Sequence, residues 1–235
     1  CSSQQARKAD KARLIGEYGM SFDKAMEKLR KNLSAKADAR EEVLRLGRRA
    51  IQESGAAIIS LHRGMLKEAD HLIAEVERFL SLAKQASRRD RELWYHGLIN
   101  QAYQEYCEAK LLREYVRTGK VLPPTKIRAP RGAYVLGLAD FCGELRRSCL
   151  ENIRRGELAK AINDFETMEK IYDELMITLH AAPSTRGLRR KCDQARALVE
   201  HTRGDVTMEY RRARIEGMLE GVEKSSGKKH GLAAS

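Results

Sequence analysis

The chain has 235 residues and a net charge of +12, from 45 Lys and Arg against 33 Asp and Glu. That length suits one large helical domain or two small ones, and the cation excess favours a polyanionic partner, either nucleic acid or an anionic membrane surface. With 6% aromatic and 33% charged residues and four prolines, the composition suits long helices rather than sheets. No run approaches the ~18 apolar residues of a membrane span, and the first twenty residues hold no secretory apolar core.

Residues 1–19 are polar and unpatterned. They read as a disordered tail or an upstream artefact, with Met20-Ser21 as a natural start and Ser21 as a helix N-cap. A helical domain is expected over 20–222 and a flexible tail over 223–235. From 21 to about 63 the chain reads as one long helix or two in series, with Val43, Leu46, Ala50, Ala57, Ile58 and Leu61 in helical period and Gly64 as the stop. The second helix, about 65–86, carries a clean stripe through Leu72, Ile73, Val76, Phe79 and Leu80. The third spans about 88–118 and ends at Gly119 before Pro123-Pro124. The fourth covers about 131–155, the fifth about 157–180, and the sixth about 188–218 with a break expected near Gly204. Neither strand alternation nor an internal repeat is present. The expected fold is all-α, an array of about six to seven long antiparallel helices with short loops.

Five cysteines occur, at positions 1, 107, 142, 149 and 192, without C-x-x-C pairs or His in zinc spacing. Cys142 and Cys149 are two helical turns apart, roughly 10 Å, too far to bridge. Free thiols in a reducing, cytoplasmic setting are expected.

The third and fourth helices carry the most informative residues. Glu105 and Glu108 sit three apart, and Asp140 and Glu144 sit four apart. Each spacing puts both carboxylates of a pair on one side of its helix. Four acids on two neighbouring helices offer an all-oxygen site for a hard divalent cation. The seam Leu98, Gln101, Glu105, Glu108, Leu112, Tyr115 turns both glutamates towards the core, where a carboxylate needs a cation beside it. The alternative partner is an arginine in a buried ion pair. Asp140 and Glu144 lie opposite the apolar face Leu138, Cys142, Leu145, Cys149, so the pattern alone reads as a solvated face. Ala133 and Gly137 beside them leave room for a helix or a phosphate to approach closely.

Basic clusters occur at Arg88, Arg89 and Arg91, at Arg128 with Arg131, at Arg146-Arg147, at Arg154-Arg155 and at Arg189-Arg190-Lys191. Arginine forks suit phosphate oxygens, and Trp94, Tyr95 and His96 after the first cluster suit stacking on unpaired bases. Helix packing for Trp94 and solvated ends for the arginines are the plainer alternatives. His62 and His180 end helices and are expected to meet carbonyls there. No phosphate-binding G-x-x-x-x-G-K-[ST] loop, nucleophile elbow or H-E-x-x-H is present.

Residues 37–212 resemble the translin family, and within it the catalytic translin-associated factor X type. The resemblance rests on Asp38-Ala39-Arg40-Glu41-Glu42, Leu61-His62-Arg63, Gln104-Glu105-Tyr106-Cys107-Glu108-Ala109 and the segment from Tyr134 to Arg147. It implies about seven helices, closed oligomers around a cavity, binding of single-stranded RNA and DNA, and Mg²⁺-dependent endoribonuclease activity. Carried over residue by residue, it implies Glu105, Glu108, Asp140 and Glu144 as catalytic, with Glu108 and Glu144 as direct metal ligands. Mg²⁺ is the expected ion and Mn²⁺ the alternative. Arg88, Arg89, Arg91, Arg146 and Arg147 are the expected nucleic-acid contacts. The chain lacks the long insert of the animal catalytic subunit, which suggests a homo-oligomer, with a translin-type partner subunit as the other option. A non-catalytic single-strand-binding oligomer remains the alternative function, and a scaffold without nucleic acid a third.

Overall fold

The computed structural model describes residues 2–87 and 97–230, with side chains placed over 22–87 and 97–219. Among the described residues there are six α-helices and no strand: α1 (Ser2–His62), α2 (Leu66–Ala86), α3 (Gly97–Thr118), α4 (Arg131–Arg154), α5 (Leu158–Ala181) and α6 (Leu188–His230). A single 3-10 turn, Pro124–Lys126, interrupts the loop between α3 and α4. The expected all-α class and the short loops are what the structure shows.

Helix stops follow from glycine. After α1, Gly64 takes φ of +74°, its N–H bonding to the Leu61 carbonyl and that of Met65 to Ser60. After α4, Gly156 takes φ of +72°, and the N–H of Glu157 reaches back to Asn152. Both are left-handed closures that satisfy the last carbonyls of the helix, a conformation glycine adopts without steric cost.

Helices α1, α2 and α3 pack on one another, α4, α5 and α6 do the same, and the α3–α4 contact joins the two halves. The core runs without a break from Val43 in α1 to Val199 in α6. In α2, Ile73, Val76, Phe79 and Leu80 are buried as their spacing requires, each worth about 1.5–3 kcal/mol of transfer free energy. Ile127, buried in the α3–α4 loop, pins that loop to the core, and the Tyr134 hydroxyl donates to the Leu122 carbonyl at 2.7 Å.

The structure departs from the sequence reading in three respects. Helix α1 begins at Ser2, across the stretch expected as a tail, and α6 runs through Gly204 to His230 without a break. On α3, Gln101 is exposed and Leu98 and Glu105 are half-buried, while Tyr103, Tyr106, Cys107 and Leu111 are buried along with Glu108, Leu112 and Tyr115 of the expected seam. This helix touches α1, α2 and α4 at once, so one apolar stripe does not describe it. Finally, Asp140 and Glu144 are not on a solvated face. Their side chains are 18% and 19% exposed, because α3 and α6 cover the side of α4 opposite its apolar stripe.

Candidate functional site

Gly137 is what brings the two acidic helices together. A Cβ there would lie 2.6 Å from the Gln104 carbonyl oxygen, 2.7 Å from the Cys107 Cβ and 3.2 Å from the Glu108 nitrogen. Only a residue without a side chain allows this contact, and it falls between the two carboxylate pairs. Ala133, one turn earlier, is also buried.

Glu105, Glu108, Asp140 and Glu144 therefore form one cluster across the α3–α4 interface. Glu108 is 9% exposed, and it has no hydrogen-bond partner among the described residues. Burial pushes its carboxyl up to about 8, with the charges of Asp140, Glu105 and Glu144 adding to the rise and Lys191 opposing it. Glu105 is half-buried and also raised, first by burial and then by Asp140. Both glutamates pay for desolvation and mutual repulsion.

The other pair is treated differently. The Lys191 ammonium, on α6, donates to Asp140 Oδ1, and the Gln104 side-chain amide donates to Asp140 Oδ2. The His62 ring, at the end of α1, hydrogen-bonds Glu144 Oε2 through Nε2. His62 and Lys191 are 16% and 17% exposed. The sequence reading placed His62 at a helix end and Lys191 in a phosphate-binding cluster. Their spacing from the acids carries no signal, since they reach the site from 82 and 51 residues away. Each side chain faces a carboxylate, and among the described residues no three His, Cys, Asp or Glu converge as a ligand set.

The arginines divide. Arg146 is committed to α6, donating to Thr202 Oγ1 at 2.7 Å and pairing with Asp205 at 3.0 Å. Arg147 is exposed and lies three residues past Glu144, on the same side of α4. Arg88, Arg89 and Arg91, with Trp94, Tyr95 and His96, lie outside the described residues. A cationic pocket of about 430 Å³ lies on the α2-facing side of α3, lined by Lys84, Lys110, Lys126 and Arg128 with Tyr103, Tyr106 and Glu77. Of these, the sequence pointed only to Arg128. The larger cavity, about 1020 Å³ between the α3–α4 loop, α4 and α5, is mainly apolar and holds none of the four acids.

Comparison with known proteins places the fold. A model of the translin family matches residues 38–202. An uncharacterized protein of Methanocaldococcus jannaschii is 29% identical over 197 residues, which is 81% of this chain and 85% of the relative. Translin-associated protein X of Mus musculus is 22% identical over 190 residues, 63% of this chain and 65% of its own length. Among solved structures, AfC3PO in complex with duplex RNA superposes with a TM-score of 0.72 at 31% identity, covering 81% of this chain and 98% of that one. Apo-NeC3PO superposes at 0.70 with 20% identity, covering 78% of this chain and 96% of that one, a likeness of fold alone.

Proposed function

The chain belongs to the translin family, and we propose that within it this protein is an oligomeric, single-stranded nucleic-acid-binding endoribonuclease that works with a divalent cation. One observation carries the reading: the Glu108 carboxylate is held almost dry among three other acids, with no hydrogen-bond partner among the described residues. Burial keeps this carboxyl protonated to about 8, and a cation beside it is what would let it ionise at neutral pH.

The donor chemistry fits a hard ion. Of the four acids, the oxygens without a hydrogen-bond partner among the described residues are both of Glu105, both of Glu108 and Oε1 of Glu144. All are carboxylate oxygens, as Mg²⁺ or Mn²⁺ prefers. Glu108 and Glu144 are the proposed direct ligands, with Glu105 beside them. When bound, the ion supplies charge neutralisation at the phosphate and a more acidic water. Glu105 would be the carboxylate left to take up a proton there, since Asp140 has both oxygens occupied. Arg147 offsets charge on the phosphate from the exposed side of α4. The lysines and Arg128 of the cationic pocket are further phosphate contacts. The relative AfC3PO was solved with duplex RNA, so both single and double strands belong in the test.

The second reading is a non-catalytic nucleic-acid-binding oligomer. It is favoured by the pairing of Asp140 with Lys191 and of Glu144 with His62, which leaves no converged ligand set among the described residues. Labelled single-stranded and duplex RNA, incubated with Mg²⁺ or with chelator, separates the two. The nuclease reading expects Mg²⁺-dependent internal cuts by the wild type and none by Glu108→Gln, with RNA binding retained by both. Tight binding without cuts supports the second reading.

A further inference from the structure

We infer that Lys191 is a built-in cation of the acidic site, which occupies the place a second divalent ion would need and limits each chain to one bound ion. The inference rests on the metal-dependent reading above.

Phosphodiester sites with two ions hold them roughly 3.5–4 Å apart, close enough for one carboxylate to bridge them. Asp140 has the position for that role. It faces α3 across the Gly137 contact, and its charge acts on both Glu105 and Glu108. Both of its oxygens are already taken, Oδ1 by the Lys191 ammonium and Oδ2 by the Gln104 amide. An ammonium is a compact, single positive charge, and this one acts on Glu105 and Glu108 as well as on Asp140. A second ion would have to displace a tethered cation.

The tether is firm. Lys191 stands in the first turn of α6 between Leu188 and Cys192, which are 0% and 1% exposed. A cation at a helix N-terminus is opposed by the helix dipole, and this first turn has no acid to relieve it. The contact with Asp140 supplies the compensation from another helix. Lys191 is thus a positioning residue, which fixes Asp140 and leaves Glu108, Glu105 and Glu144 for a single ion.

Titration with Mn²⁺, followed by the electron paramagnetic resonance signal of the free ion, counts the ions held per chain. We expect one in the wild type, two in Lys191→Met and one in Lys191→Arg, which keeps the charge. Gln104→Met, which frees Oδ2 but leaves the ammonium, should also hold one. Thermal melting reports whether each variant is folded, and Lys191→Gln replaces Lys191→Met if the latter is not. Two ions in the wild type, or one in a folded charge-removed variant, overturns the inference while leaving the metal-dependent reading intact. No bound ion in any variant at millimolar Mn²⁺ overturns that reading, and this inference with it.

Discussion

Glu108 dominates at the scale of single residues. In the unfolded chain its carboxyl titrates near 4.5, whereas in the fold it stays protonated up to about 8. Between those values the folded state binds more protons than the unfolded state. Stability of the metal-free protein therefore falls as pH rises from about 4.5 to about 8. Denaturant midpoints in chelator across that range should decline for the wild type and decline less for Glu108→Gln, in which Glu105 and Asp164 still carry raised carboxyls. An unchanged slope in the mutant would assign the effect to another group. The same substitution removes a charge from a crowded site, so it is expected to raise stability at high pH while abolishing Mg²⁺-dependent cleavage.

Between elements, two contacts set the geometry. Gly137→Ala would drive a methyl into the backbone and Cβ of α3 at 2.6–2.7 Å. Neither obstacle is the tip of a flexible side chain, so the helices must separate. The expected loss is about 1–3 kcal/mol in chemical denaturation, with cleavage falling further because the carboxylate pairs move apart. The second contact ties α3, α4 and α5. The Tyr115 hydroxyl donates to Asp164 Oδ1 at 2.8 Å, and the Asn152 amide donates to Oδ2 at 2.8 Å. Asp164 is 4% exposed, and burial raises its carboxyl above the ordinary value. Asp164→Ala removes the acceptor of the buried Tyr115 hydroxyl and of the half-buried Asn152 amide and should cost about 1–3 kcal/mol. A denaturation midpoint equal to that of the wild type would show that the network contributes nothing net.

For the whole molecule, both long helices outrun the core. Side chains of α1 from Phe22 to Glu42 and of α6 beyond Val206 are almost all exposed, and they include Phe22, Leu29 and Leu33 on α1 and Met208, Ile215, Met218 and Leu219 on α6. Apolar stripes of this kind mark interaction surfaces. Oligomers are expected, and light scattering that finds single chains alone at micromolar concentration contradicts this. The net charge of +12 predicts RNA affinity that falls steeply with salt. Replacing Lys126 and Arg128 with Ala should weaken binding and flatten its salt slope, as read by fluorescence anisotropy across a salt series. Affinity indifferent to salt would exclude a phosphate-dominated interface.

What the sequence determined by itself is the class and punctuation of the fold. Helix ends at Gly64, Gly119 and Gly156, and the core stripe of α2, follow from local chemistry and helical period, which need no partner to be read. The grouping of the four acids in two pairs follows from the same period. What tertiary structure decided is how those acids are surrounded. Periodicity identifies one apolar face per helix, and it fails for α3 and α4, which are covered on more than one side. Asp140 and Glu144 read as solvated for that reason, and Arg146 read as free although Thr202 and Asp205 hold it. Lys191 and His62 come from segments distant in sequence, so only packing could bring them to the carboxylates. A charge on a helix face is legible from spacing, whereas the cation that balances it is set by which helices meet.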